Sequence, residues 1–383
     1  MPSQSLREIY RPTHDEASRH RFVGALKSFV NGAMEGQLAD HYESVLKPAF
    51  AAAHAGRAPA NRAEARPLFE SAPLYQLWGS MVYASQDFMW QTVGATCRRI
   101  QADFEARARQ ATANPRGSLT LDPSLVIPKP IADVPIHRQP GGYFGASRED
   151  DLHAALIYFG TIELYRAAKG LTASAPVGEP GIGRYIVSVL RKRYPELAPR
   201  RILDLGCGPG LETVALKEAF PDAEVHGLDL SAPFVRFAHA WAEDRGLAMH
   251  FRQADAQRTG YPDGHFDLVV SHILFHETWH DVAPRIFAEA RRILAPGGVF
   301  LNADVPYQPS RMPIPKQVTN DWQVRNNGEP FWTGFADTDV PAALRGAGFA
   351  PEEVVADYEP LGAGHYYFFG GRRAGAAGQR AAA

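Results

Sequence analysis

From Arg200 onward the chain alternates short apolar runs with amphipathic stretches, and this alternation limits its fold more than any other feature. The runs "RILDLG", "AEVHGLDL", "AMHFRQAD", "FDLVVSH" and "GVFLNAD" read as strands, being short, β-branched and bounded by turn residues. "VAPRIFAEARRIL" is the clearest of the helices between them. Such alternation builds a mostly parallel sheet with helices packed on it. A last pair, "APEEVVADYEP" and "GHYYFFGGR", follows the helix "DVPAALRGAGF" and closes the sheet. The first strand runs into "DLGCGPG", a glycine-rich turn suited to an adenosine-containing cofactor.

The preceding half has a different pattern. "RHRFVGALKSFVNGAM" and "LYQLWGSMVYASQDFMWQTVGATCRRIQADFEARARQ" repeat large apolar residues every three or four positions, as one buried helix face does. Residues 1–112 are therefore expected to form a helical N-terminal domain that caps a site or pairs two subunits as a homodimer. Residues 113–150 are rich in proline and glycine without a period and read as a linker. Two helices at 151–196 lead into the sheet domain at 197–373, and 374–383 form a small-residue tail expected to be disordered.

Composition narrows the partners. The 383 residues carry a formal net charge of -2, without the basic excess a nucleic-acid backbone demands. No apolar run approaches the roughly 20 residues that span a bilayer. With a polar N-terminus and two cysteines, Cys97 and Cys207, too few for a disulfide framework, the expected location is the cytoplasm.

The cofactor question turns on charge. Gly206, Gly208 and Gly210 follow a G-x-G-x-G spacing, and Leu211 stands where a dinucleotide fingerprint has its third glycine. Asp204 precedes the turn; its carboxylate would repel a pyrophosphate and attract a methionine ammonium. Asp229 ends the second strand, where an acid accepts hydrogen bonds from ribose hydroxyls. Asp255 ends the third, where a carboxylate can meet an adenine amino group.

With "LDLGCGPG", "GLDLS", "QADA", "FDLVVSHILFHE" and "ILAPGG" in this order, residues from about Arg200 to Arg372 resemble the class I S-adenosylmethionine-dependent methyltransferases. The resemblance implies a Rossmann-like α/β fold with a mostly parallel seven-stranded sheet and an antiparallel last strand. It implies S-adenosyl-L-methionine as cofactor. Asp204 and the turn of Gly206, Cys207, Gly208 and Gly210 would hold the methionine part. Asp229 and Leu230 would serve the ribose, Asp255 and Ala256 the adenine, and Ser271 would lie beside the sulfonium. An NAD-dependent oxidoreductase or a non-catalytic binding protein is the rival reading.

The segment after the fourth strand, "SHILFHETWHD", carries no Pro-Pro-Tyr run of the kind found in enzymes that methylate nucleic-acid bases or protein amides. It is similar to the "LHDW" segment of small-molecule O-methyltransferases, which implies His276 as general base with Glu277 beside it. Oxygen is thus the favoured acceptor atom; a carbon or nitrogen acceptor would need proximity alone. His272 lies four residues before His276, but no third metal ligand is evident, so no metal is expected. Trp322, Asn326, Asn327, Glu329 and Trp332 mix aromatic and polar groups as an acceptor pocket does. Tyr143 and Tyr158 read as buried packing residues.

Overall fold

Alternate residues of the central strands belong to two different cores. In the computed structural model, Ile202, Leu268, Val270, Val299 and Leu301 face one apolar cluster. Leu203, Leu205, Val269 and Phe300 face another. This period of two is what a strand buried on both faces requires. Residues 4–375 are described, except 147, 149, 169–176, 280, 306–307, 309–310 and 362–363. Most of the expected disordered tail, 376–383, thus lies outside the described residues.

The strands are β1 (Ser118–Thr120), β2 (Arg201–Leu205), β3 (Glu224–Asp229), β4 (His250–Gln253), β5 (Phe266–His272), β6 (Leu294–Asp304), β7 (Val354–Leu361) and β8 (Gly364–Arg372). They form one sheet in the order β1-β4-β3-β2-β5-β6-β8-β7. The last strand, β8, runs antiparallel to both β6 and β7, as expected. Among the described residues the sheet has eight strands instead of seven, because the proline-rich linker contributes β1, paired parallel with β4. Gly117 permits this approach: a Cβ there would stand 1.8 Å from the Met249 carbonyl oxygen. Three residues are too few to show a period, so the strand was invisible in the pattern.

The N-terminal region is helical, and a 39-residue helix, Pro73–Ala111, dominates it. At 1.5 Å per residue this helix is about 58 Å long. Its first half packs Tyr75, Trp78 and Val82 against Val30, Leu38 and Phe69. Its second half buries Val93, Cys97, Ile100 and Phe104 in the same core as one face of the sheet. One rod therefore joins the N-terminal bundle to the α/β unit.

The stretch after β6 also departs from expectation. It reads as an irregular loop, yet Ile314–Asn326 is a helix with Pro315 in its first turn, where a missing N–H is harmless. Trp322 points to the N-terminal bundle, its ring 5.2 Å from that of Trp78. Gly79 makes room for it, since a Cβ there would lie 2.8 Å from the indole nitrogen.

Candidate active site

The carboxyl ends of the central strands open onto a crevice, the place where open α/β sheets bind ligands. Gly206, Gly208, Asp229, Leu230, Asp255 and Ala256 line it. Gly206, Gly208 and Gly210 have φ of +67°, +51° and +79°, a region closed to most side chains. Gly210 also begins the helix Leu211–Ala219, and a Cβ there would lie 2.8 Å from that of Ala238. Asp229 ties the loop to the neighbouring strand: its carboxylate accepts the N–H of Gly208 at 3.0 Å and of Ser231 at 2.8 Å. Burial pushes this carboxyl up to about 6, against the pull of those two amides. Asp255 accepts the Gln257 N–H at 2.8 Å.

Four other expected cofactor residues lie behind the crevice. Asp204 is buried and accepts the Thr213 hydroxyl at 2.6 Å. Burial pushes its carboxyl up to about 8, so it takes a nearby cation to ionise it fully at neutral pH. Ser271 donates to Asn302 Oδ1 at 2.7 Å within the sheet. Both border a small void shared with Glu212 and His272. Cys207 packs into the core, where burial pushes its thiol well above its ordinary value. Gly210 shapes the loop without lining the crevice. Conversely, Tyr143 and Tyr158, expected to be packing residues, both line it, with ring centroids 5.4 Å apart.

These walls fit S-adenosylmethionine. Leu230, Phe234, Val282 and Ile286 offer apolar faces to a base, and Asp229 and Asp255 offer carboxylates to hydroxyl and amino donors. Asp229→Ala is expected to weaken S-adenosylmethionine binding roughly 10–100-fold in calorimetry, the loss of a charge-assisted hydrogen bond. Unchanged affinity would contradict the ribose role.

A second cavity of about 410 Å³ lies between the N-terminal helices and the sheet. It shares Tyr158 and Ile273 with the crevice. Ile273 has φ +48°, an outlier for a β-branched residue, and such strain costs about 1–3 kcal/mol. The strain sits where the two spaces meet.

Along this junction imidazoles and carboxylates alternate. His276, on the turn Phe275–Glu277, donates through Nδ1 to Asp304 Oδ1 at 2.6 Å. Asp304, at the end of β6, is fully buried and also accepts the N–H groups of Phe275 at 2.8 Å and Val305 at 2.7 Å. The other nitrogen, Nε2, lies 3.4 Å from Glu277 Oε1. Glu277 in turn lies 2.8 Å from His137 Nε2, and His137 Nδ1 contacts Glu329. Burial alone would lower the pKa of His276, but the Asp304 and Glu277 carboxylates outweigh it and hold the imidazole well above its ordinary value. His137 is treated likewise: burial lowers it, Glu329 and Glu277 raise it more, and it reaches about 10. Glu277, which burial would raise, is held well below the usual carboxylate range by the two imidazoles.

Of the expected acceptor residues, Asn327, Glu329 and Trp332 line this cavity with His276. Trp322 and Asn326 do not. Trp322 is seated against Trp78, and exposed Asn326 donates to the Trp322 carbonyl at 3.1 Å. His272 turns away from His276, toward Glu212 at 3.5 Å and Tyr366 at 3.4 Å. A different group, His137, His276, Glu277 and Glu329, brings one donor atom each within 4.8 Å of one another.

Three functional candidates escaped the sequence. Asp304 looked like any strand end, and His137 lay in the pattern-free "PIHRQPGGY". Lys27, in a helix's last turn, belongs to no motif. A trace of the second existed in Gly328, whose φ is +75° and whose Cβ would sit 2.6 Å from the Arg138 amide nitrogen. That glycine lets the linker dock, with the His137 N–H donating to the Gly328 carbonyl at 2.7 Å.

The family described as "Methyltransferase domain" matches residues 202–298. The chain is 41% identical over 114 residues to demethylmenaquinone methyltransferase of Thermus thermophilus, covering 30% of this chain and 51% of that protein. It is 34% identical over 114 residues to malonyl-[acyl-carrier protein] O-methyltransferase of Legionella pneumophila, covering 29% and 38%. The chain thus spans about half the length, or less, of these curated relatives. A solved phosphoethanolamine N-methyltransferase 2 of Haemonchus contortus with S-adenosyl-L-methionine aligns at 15% identity and TM-score 0.40, covering 50% of this chain and 52% of that one. With the glycine loop, the acids at the strand ends and the antiparallel last strand in place, residues 202–298 are a methyltransferase domain of the class I S-adenosylmethionine-dependent kind.

Proposed function

We propose that this protein transfers the methyl group of S-adenosylmethionine to a hydroxyl oxygen of a small molecule held in the 410 Å³ cavity, with His276 as general base. The observation that carries the reading is the common wall: Tyr158 and Ile273 border both the cofactor crevice and the cavity, and His276 faces the cavity beside them. Acceptor and donor would meet across that wall, and holding the reacting atoms in line is worth roughly 7–11 kcal/mol. In the step, the acceptor oxygen attacks the methyl carbon as the carbon–sulfur bond breaks. The hydroxyl proton goes to His276 Nε2, and the donor leaves as a neutral thioether. Asp304 orients the imidazole and balances its positive charge, as a base's partner does. Lys27, Val82, Gln86, Met89 and Trp90 line the cavity from the N-terminal side, so those helices act as its cap. One relative is named for O-methylation, in keeping with an oxygen acceptor.

The test is incubation with methyl-labelled donor and a host metabolite extract, followed by mass spectrometry. A small molecule labelled on oxygen is expected. Label on nitrogen or carbon removes the need for the base, and no label in any fraction removes the enzymatic reading. The cluster of four donor atoms raises a second possibility, a divalent ion that would polarise the acceptor oxygen. Since each of these four side chains already has an ionic partner in the chain, turnover is expected to survive a chelator. Activity lost to the chelator and restored by one ion per chain would favour the metal instead.

No helix among the described residues is long and apolar enough to cross a membrane.

A further inference from the structure

Lys27 is 6% exposed, at the end of the helix His14–Ser28, and its side chain lies in the wall of the 410 Å³ cavity. The ammonium donates to Gln86 Oε1 at 2.6 Å. The orientation of that amide is fixed from its other end, where Gln86 Nε2 donates to the His137 carbonyl at 2.8 Å. The Tyr165 ring centroid stands 5.8 Å from the ammonium.

An ammonium has three N–H donors. Among the described residues Gln86 is the one acceptor that Lys27 finds, and no carboxylate forms an ion pair with it. The neighbouring acid is engaged elsewhere, since Glu329 contacts His137. A buried charge without a partner is costly. Burial pushes Lys27 down to about 8, Glu329 resists that fall and Arg138 adds to it. At neutral pH the side chain is therefore mainly a cation in search of an anion. Elsewhere in the same wall the opposite shortage exists, since Asn327 Oδ1 and Glu329 Oε2 are buried acceptors without a donor.

We propose that Lys27 is the anchor for a carboxylate on the acceptor, whose class is a hydroxylated carboxylic acid. The carboxylate meets the ammonium, and hydroxyl groups meet Asn327 and Glu329. A monoanion fits better than a phosphate dianion, because the His137 and His276 imidazoles in the same wall are already matched by Glu277, Glu329 and Asp304, which leaves Lys27, among the described residues, as the cation without a carboxylate. The inference rests on the cavity being the acceptor site.

The experiment fractionates a host metabolite extract on an anion exchanger at pH 7 and incubates each fraction with labelled S-adenosylmethionine. The labelled acceptor is expected in the retained fraction, at an elution position that prior phosphatase treatment leaves unchanged. With that fraction, Lys27→Met is expected to raise KM roughly 10–100-fold, the loss of a hydrogen bond to a charged group, while kcat changes less. The thermal midpoint and S-adenosylmethionine affinity establish that the variant is folded. Label in the unretained fraction, a peak displaced by phosphatase, or an unchanged KM in a folded variant would each overturn the role of Lys27 and leave methyl transfer standing. No label anywhere overturns the proposed function, and the anchor with it.

Discussion

Substituting His276 by alanine is expected to lower kcat roughly 10²–10⁴-fold, the range for loss of a general base, with S-adenosylmethionine affinity unchanged. The two effects separate because His276 borders the 410 Å³ cavity and is absent from the crevice wall. The pH profile gives a second readout. The active form of a base is neutral, and Asp304 and Glu277 together hold the His276 pKa well above the ordinary value. Wild-type turnover will therefore climb with pH above about 6.5, the unperturbed histidine value, and level off once the imidazole has lost its proton. In the alanine variant that climb disappears. A variant with wild-type kcat and the same rising profile would remove His276 from the chemistry.

Replacing Asp304 by alanine carries the largest expected effect on stability. Its carboxylate is fully buried and accepts hydrogen bonds from Phe275 N, Val305 N and His276 Nδ1. Removing one partner of a buried ionic pair costs about 3–5 kcal/mol, because the other charge stays buried. Urea unfolding at pH 6 will show it as a lower midpoint; a loss below about 1 kcal/mol, the scale of an exposed pair, would contradict the buried-pair account. The sign of the pH dependence follows from the raised pKa of His276 in the folded state. Its contribution is complete below about 6.5, the unfolded value, and fades as pH rises through the folded one, so the gap between wild type and variant narrows in alkali. Asp304→Asn keeps the shape but leaves His276 with Glu277 as its remaining negative partner. It is expected to lose less stability while still lowering kcat.

The two halves of the site were unequally visible in the sequence. The crevice is written in contiguous motifs, because each strand end delivers one acid or glycine at a fixed place relative to an apolar run. Asp229, Asp255 and the loop glycines could thus be read in order. Their depth could not: whether Asp204 and Ser271 face the crevice or its back depends on how the loop folds over β2 and β5. The proposed acceptor cavity draws on positions 27, 86, 137, 276, 304 and 329, which no local pattern connects. The misplacement of Trp322 and Asn326 has a narrower cause. Read as a loop, 314–326 offers every polar residue to the pocket; as a helix it separates them by face. Trp322 and Asn326, four apart, share one face, while Gln323 and Asn327 share the next and reach the cavity.

The long helix Pro73–Ala111 has a mechanical consequence. Val82, Gln86, Met89 and Trp90 form one side of the cavity, and one to four turns later the same rod is embedded beside the sheet through Val93, Cys97, Ile100 and Phe104. A wall rooted so deeply cannot swing open about a hinge without tearing that core. On the proposed reading, an acceptor enters through small local shifts of side chains and short segments around the rim, which makes the entrance a fixed gate with movable edges.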